Sequence, residues 1–278
     1  MELWKKLGIA AAALLAAKSV MPKSRKLPKG KGVFIDDLVR EGKSPAHLIE
    51  RLKWMDISFL LIEIAWHDDK QDNTHNLEDG SLAAFVPELV AAGIQCWVWG
   101  FPSPDRVERF VELVEHAYRV APQVAGVVVD AEKPFYGPQY ATQAEDLMAR
   151  LKGLGRPVGF TSYGYTKYHA SFPYEAFASA DFGMPQIYSE LGEAYPDKAD
   201  DSYRDLGIKY IVPINGASSA HRVNDSDGFG IEEQAEFSDT SDGAIAFWSY
   251  RHLVLADDSR QAQRATFVRE FSDWGGDG

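Results

Sequence analysis

The chain has 278 residues, 45% of them hydrophobic and 25% charged, which is the composition of an ordinary globular protein. Its net charge of −12 argues against nucleic acid as a partner, because phosphate binding needs clustered Lys and Arg. The single cysteine, Cys96, excludes a disulfide within the chain, and no Cys/His pattern has the spacing of a metal site.

The first 32 residues differ in character from the rest of the chain. They carry eight Lys or Arg residues against one Glu, a net of +7, so residues 33–278 carry −19. Within residues 1–22 the apolar run from Leu7 to Ala17 is too short for a standard membrane span of about 20 residues. It suits a signal peptide, with Ala17-Lys18-Ser19 as a cleavage site, or a helix that anchors the protein at an anionic membrane surface.

A basic linker is predicted over residues 23–32, and a single domain over residues 33–278. In that domain a pattern of buried strand, loop and amphipathic helix occurs eight times. The predicted strands are Gly32–Asp36, Ile57–Ala65, Ile94–Gly100, Ala125–Ala131, Pro157–Ser162, Phe182–Tyr188, Lys209–Ile214 and Ala244–Tyr250. Eight such units predict an α/β fold, a (β/α)8 TIM-type barrel with an apolar and basic N-terminal extension. An open doubly wound sheet is the alternative, but it usually has fewer strands.

The fourth predicted strand ends in two acids followed by a proline, in the stretch Val127–Pro134. Side chains two apart on a strand share a face, so Asp130 and Glu132 lie about 7 Å apart along it. Barrel enzymes hold their active sites at the carboxyl ends of the strands. Glycoside cleavage needs an acid for the leaving oxygen and a second group for the positive charge. We therefore predict Glu132 as the general acid and Asp130 as its charge-stabilising partner, with Asp36 as another candidate for the second role. The alternative without a catalytic function is a strand end with two solvated carboxylates.

Aromatic and amide side chains end several other predicted strands and would surround the same mouth. Aromatic faces stack on sugar rings, and amides bind sugar hydroxyls, so a polysaccharide is the expected partner. The expected substrate-binding residues are Trp66, Trp99, Tyr163, Gln186, Tyr188, Asn215, Trp248 and Tyr250. There is no glycine-rich phosphate-binding turn, and neither a cofactor nor a metal is predicted. Glu63 lies within an apolar run, where a buried acid needs a partner.

The order of these features resembles glycoside hydrolase family 25, the barrel muramidases of bacteria and phages. Asp36 (or Asp37) ends the first strand, Asp130-Ala131-Glu132 ends the fourth, and Trp248-Ser249-Tyr250 resembles a later W-x-Y element. The resemblance covers roughly residues 32–252, but only the D-x-E is specific, and the family's closing aspartate strand has no counterpart. It implies a lysozyme-like hydrolase of peptidoglycan that acts on N-acetylated sugars, with either direct or substrate-assisted attack.

Two other functions compete with a peptidoglycan hydrolase. The first is a catalytically silent barrel that binds glycan or forms a structural part of an envelope or virus particle. The second is a glycosidase that acts on a different polysaccharide. Each of these functions places the protein outside the cytoplasm, secreted or membrane-anchored, or in a virion, with membrane contact through residues 1–32.

Overall fold

The computed structural model describes residues 26–67, 72–188, 196–216, 241–255 and 261–271. Its centre is a closed barrel of eight parallel strands. These are β1 (Gly30–Ile35), β2 (Ile57–His67), β3 (Gln95–Phe101), β4 (Val127–Asp130), β5 (Val158–Tyr163), β6 (Phe182–Gln186), β7 (Ile214–Gly216) and β8 (Ala244–Trp248). Each strand pairs with its neighbours in the chain, and β1 pairs with both β2 and β8, which closes the barrel. The predicted fold class is confirmed.

Helices alternate with the strands and cover the outside of the barrel. They are α1 (Leu38–Gly42), α2 (Pro45–Trp54), α3 (His75–Glu78), α4 (Ser81–Ala91), α5 (Val107–Val120), α6 (Ala141–Gly153), α7 (Tyr174–Phe177), α8 (Pro196–Asp205), α9 (Tyr250–Val254) and α10 (Gln261–Glu270). Short 3-10 turns lie at Pro104–Arg106, Lys133–Phe135, Pro138–Tyr140 and Thr166–His169, and the two-residue strand Asp72–Asn73 pairs with the end of β2. None of the helices in the described ranges is long and apolar enough to cross a bilayer.

Alternation along the strands divides the apolar residues into two cores. The outer core lies between strands and helices, and the inner core fills the barrel with large aromatic side chains. Trp97 packs edge-on against Phe182 in this inner core, with ring centroids 5.1 Å apart. The barrel is therefore a packed core, and only its mouth is available for chemistry.

Residues 26–29, the N-terminal strap, cross the end of the barrel opposite the mouth. Gln95, at the start of β3, donates to the Lys26 carbonyl at 2.9 Å, and the Tyr210 hydroxyl donates to the Pro28 carbonyl at 2.6 Å. Leu27 packs against the inner core. The strap thus covers the bottom of the barrel.

The predicted linker over residues 23–32 is wrong at its carboxyl end, because β1 already begins at Gly30. Lys31 is 1% exposed, and its ammonium group donates to the carbonyls of Val268 and Arg269 and pairs with Asp56 at 3.2 Å. Three acceptors make a buried cation tolerable inside a strand. Residues 1–22, predicted to be a signal peptide or anchor, lie outside the described ranges.

The last two predicted strands are displaced from those observed. The seventh was predicted over Lys209–Ile214, but Pro213 has no N–H and the Ile211 N–H donates to Asp242 Oδ2 at 2.6 Å, so the regular strand starts at Ile214. The eighth was predicted to reach Tyr250, but it ends at Trp248, and Tyr250 begins α9.

Candidate active site

One amide group joins the two acids of the D-x-E sequence. Gln186, the last residue of β6, donates from Nε2 to Asp130 Oδ1 at 3.1 Å and to Glu132 Oε1 at 2.7 Å. Because both oxygens lie within hydrogen-bonding distance of one nitrogen, they are no more than about 6 Å apart. Parallel pairing puts the carboxyl ends of β4 and β6 at the same mouth. Gln186 can therefore bind both acids, although it lies 56 positions from Asp130 and 54 positions from Glu132 in the sequence.

The environment of these carboxyl groups favours their protonated forms. Asp130 is 5% exposed; burial raises its pKa well above the usual value, the charge of Glu132 raises it further, and the Gln186 hydrogen bond opposes both effects. Burial also raises the pKa of Glu132, and Gln186 again opposes the shift. The pair therefore keeps a proton at a higher pH than two solvated carboxyl groups would.

Glu132 lines a cavity of about 320 Å³ that has mostly aromatic walls, here called the acid cavity. Its other lining residues are Tyr163, Gly164, Tyr165, Tyr168, His169, Gln186, Ile187, Tyr188 and Ala199. Tyr163 stacks on His169 with ring centroids 3.8 Å apart. Burial and the charge of Glu132 raise the pKa of Tyr163 to about 12, so its hydroxyl is a hydrogen-bond donor at neutral pH. Asp130 is buried and is not among the residues that line this cavity.

A second cavity of about 470 Å³, here called the tryptophan cavity, lies at the ends of β1, β2 and β8. It is lined by Asp36, Asp37, Arg40, Glu63, Trp66, His75 and Trp248. Asp36 was predicted as a candidate for the second catalytic role, but the structure places it here and not with Asp130 and Glu132. Burial raises the pKa of Asp36, while Arg40, Arg251 and His75 lower it.

Three of the expected substrate-binding residues are buried, so the prediction fails for them. Trp99 lies in the inner core beneath Trp248 and Trp66, with ring centroids 5.1 and 6.3 Å away. Asn215 is buried in β7. Tyr250 belongs to the outer core, because the chain turns into α9 after Trp248 and carries it away from the mouth. Trp66, Tyr163, Gln186, Tyr188 and Trp248 do line the two cavities.

The sequence reasoning missed Tyr168 and His169, which follow β5 in a 3-10 turn and line the acid cavity. The dense aromatic run from Tyr163 to His169 was a usable signal. It also missed Glu41, a buried acid beside Asp36 whose pKa burial raises to about 7.

Most of the charged groups that shift the pKa of Glu63 are acids. Burial and the charges of Asp36 and Glu41 raise its pKa to about 8, and Arg40 opposes them. Within the described ranges no group of His, Cys, Asp and Glu side chains has an arrangement that would hold a metal ion.

Sequence comparison finds neither a matching family model nor a matching curated protein. The likeness to family 25 thus rests on the motifs alone. Structure comparison finds solved proteins with a similar barrel fold. A GH18 chitinase, ChiB, from Flavobacterium johnsoniae superposes with a TM-score of 0.57 at 11% identity, over 88% of this chain and 94% of that one.

Two further structures have similar scores. An endo-β-N-acetylglucosaminidase from Cordyceps militaris has a TM-score of 0.53 at 12% identity, over 88% of this chain and 90% of that one. D-psicose 3-epimerase from Clostridium cellulolyticum H10 has a TM-score of 0.54 at 9% identity, over 88% of this chain and 91% of that one. The neighbours include glycosidases. At these identities they show a shared barrel fold, and the chemistry has to be argued from the site.

Proposed function

We propose that the protein is a retaining glycoside hydrolase that cleaves a polymer of N-acetylated hexosamines, with Glu132 as the general acid. The observation that carries the proposal is the buried Asp130 carboxyl group and the half-buried Glu132 carboxyl group that Gln186 joins beside an aromatic cavity. Elevated pKa values keep a carboxyl protonated for proton donation, and aromatic walls suit sugar rings.

The spacing of the two carboxyl groups supports retention of configuration. Inverting glycosidases separate their carboxyl groups by about 6.5–9.5 Å to admit a water molecule, and retaining enzymes by about 5–5.5 Å. The two carboxylate oxygens that Gln186 binds are no more than about 6 Å apart, which leaves little room between them for the water molecule of an inverting pair. Asp130 is 5% exposed and does not line the acid cavity, which makes it a poor direct nucleophile. The substrate's own acetamido oxygen is the better candidate.

In this mechanism Glu132 gives its proton to the glycosidic oxygen as the bond from that oxygen to C1 breaks. The acetamido oxygen forms a bond to C1, and the positive charge spreads to the acetamido nitrogen, where the Asp130 carboxylate stabilises it. The Tyr163 hydroxyl, which lines the same cavity, would donate a hydrogen bond to the acetamido group. Glu132 then takes a proton from water, the water oxygen bonds to C1, and the acetamido group is released with Glu132 protonated again.

Peptidoglycan is the polymer that the family 25 resemblance favours. An envelope polymer also suits the basic, apolar residues 1–32, which would deliver the enzyme to the envelope or hold it there. The name of one fold neighbour, endo-β-N-acetylglucosaminidase, independently points to N-acetylated hexosamine as a substrate unit for this kind of barrel.

The test is mass spectrometry of soluble fragments released from purified peptidoglycan, with chitin oligosaccharides as a second substrate. Wild type should release fragments, and Glu132→Gln should be slower by about 10²–10⁴-fold, because it cannot donate the proton. Glu145→Gln, an exposed change of the same kind on α6, should match wild type.

Fragments with N-acetylmuramic acid at the reducing end would identify a muramidase. Equal release by wild type and Glu132→Gln would mean that another residue is the acid. A folded wild type that releases nothing from either substrate would favour the catalytically silent barrel.

A further inference from the structure

We propose that the tryptophan cavity is a second sugar subsite that takes a hexosamine unit with an unsubstituted amine. The substrate would then be a partly N-deacetylated polymer, cleaved next to an N-acetylated unit. This inference rests on the proposed function and adds the chemistry of the neighbouring unit.

Two tryptophan rings give the cavity rigid apolar walls. Trp66 is partly exposed, stacks on Phe101 with centroids 4.6 Å apart, and meets Trp99 edge-on. Trp248 is also partly exposed and packs on Phe34 and Trp99, both at 5.1 Å. Rings held from behind in this way lose little entropy when a sugar stacks on them.

The polar wall of the cavity consists mainly of acceptors. Asp36 and Asp37 line it, and an ionised carboxylate only accepts hydrogen bonds; Glu63 also lines it, but burial raises its pKa to about 8, so it is largely protonated at neutral pH. Such a wall binds hydroxyl and ammonium groups and repels a uronic or lactyl carboxylate. A hexosamine with a free amine supplies a donor group and a positive charge together.

The cationic residues of the cavity already have partners. Arg40 donates to Glu41 at 3.1 Å and lies 3.9 Å from Asp37, and its side chain is 61% exposed. The His75 Nε2 atom lies 2.8 Å from the backbone carbonyl oxygen of Asp36. Arg251, which also acts electrostatically on Asp36, is exposed. Asp37 therefore has cationic partners, because His75 Nε2 also lies 3.8 Å from its Oδ2, whereas no Lys, Arg or His in the described ranges forms an ion pair with Asp36.

A second observation points to a missing donor. Asp36 Oδ1 is buried and accepts no hydrogen bond from the part of the chain that the structure describes. A buried acceptor without a donor is unfavourable, and more so when it is charged. An ammonium group in the cavity that Asp36 lines would supply that donor.

The tryptophan cavity lies close to the catalytic pair. Glu63 on β2 is in register with Trp99 on β3, which is in register with Val128 on β4, two residues before Asp130. The charge of Glu63 contributes to the raised pKa of Asp130. A polymer that crosses the mouth from the acid cavity would therefore place a neighbouring unit against the two tryptophans.

The test compares binding of three tetrasaccharides: fully N-acetylated, fully deacetylated and alternating β-1,4-linked glucosamine. Titration calorimetry and tryptophan fluorescence are measured on the full chain carrying Glu132→Gln, which prevents turnover. The alternating sugar should bind at least tenfold more tightly than the fully acetylated one, and added salt should weaken that preference. Asp36→Asn in this background should abolish the preference, and Asp146→Asn on α6 should keep it.

Asp37→Asn is the second variant, in case Asp36→Asn does not fold; it removes a negative charge from the same wall and should also reduce the preference. Equal affinities for acetylated and alternating sugars, or a preference that neither variant changes, would overturn the subsite. Hydrolysis of acetylated polymer without an amine preference would overturn it and leave the hydrolase intact. An amine preference without hydrolysis by wild type would support the subsite and refute the hydrolase.

Discussion

Gln186 holds both acids of the proposed site through a single nitrogen, at 3.1 and 2.7 Å. A hydrogen bond from a neutral amide stabilises the ionised form of a carboxyl group and lowers its pKa. Burial acts in the opposite direction on both Asp130 and Glu132. The pKa values of the pair are thus set by burial and by the Gln186 hydrogen bond, which act in opposite directions. The hydrogen bond can be removed by substituting Gln186 while both acids are kept.

Replacing Gln186 by Ala should therefore raise the pKa values of both acids further. The active form of the pair carries one proton, so the acid limb of the pH–rate profile reports the loss of the first proton from the pair and the alkaline limb the loss of the second. Both limbs should therefore move to higher pH. Fragment release measured across the pH range checks this, with Gln143→Ala on the exposed face of α6 as control. If the midpoints of both limbs stay at the same pH and only the maximal rate falls, Gln186 acts on the substrate instead.

At the scale of elements, the sequence was most informative where strands are short and apolar. Runs such as Val127–Val129 located the barrel strands, and the closed barrel followed from their number. Tyr250 was misplaced because the alternating pattern continues past Trp248 while the backbone turns into α9. The sequence placed Asp36, Trp66 and Trp248 at one mouth, but it could not show that the mouth divides into two cavities, because that depends on how the side chains pack.

The contribution of the N-terminal strap to the stability of the protein can be measured. A chain that begins at Lys26 should keep the melting temperature of the full chain. One that begins at Gly30 should melt lower, because it loses the apolar contact of Leu27 and the hydrogen bond to Pro28, together about 2–3 kcal/mol. In a domain of this size that corresponds to roughly 5 °C or more in a calorimetric scan.

Tyr210→Phe in the full chain separates the two contributions, because it removes only the hydrogen bond to Pro28. Equal melting temperatures for the chains that begin at Lys26 and Gly30 would show that the strap contributes nothing to the barrel.

For the whole molecule, the buried acids make stability depend on pH. Glu41 and Glu63 have pKa values raised from 4.5 to about 7 and about 8. The folded protein holds these protons at pH values where the unfolded chain has released them. The free energy of unfolding therefore decreases as the pH rises from about 4.5 to about 8.

Glu63→Gln should remove the larger part of this dependence. At pH 8 the variant should be more stable than wild type by up to a few kcal/mol, since one pKa unit corresponds to about 1.4 kcal/mol. At pH 5 the two should be nearly equal. Thermal melting at both values checks this, with Glu145→Gln as control. Equal destabilisation at both pH values would mean that the Glu63 carboxylate makes a native bond that stabilises the fold.

The strap and the mouth lie at opposite ends of the barrel. Lys26 meets the barrel at the start of β3, at the opposite end from Asp130, Glu132 and the two tryptophans. A partner that bound the strap itself would lie at the bottom of the barrel. A molecule held by that end would turn its mouth outward, toward a polymer on the far side, and its holder would not block the entry of a glycan chain.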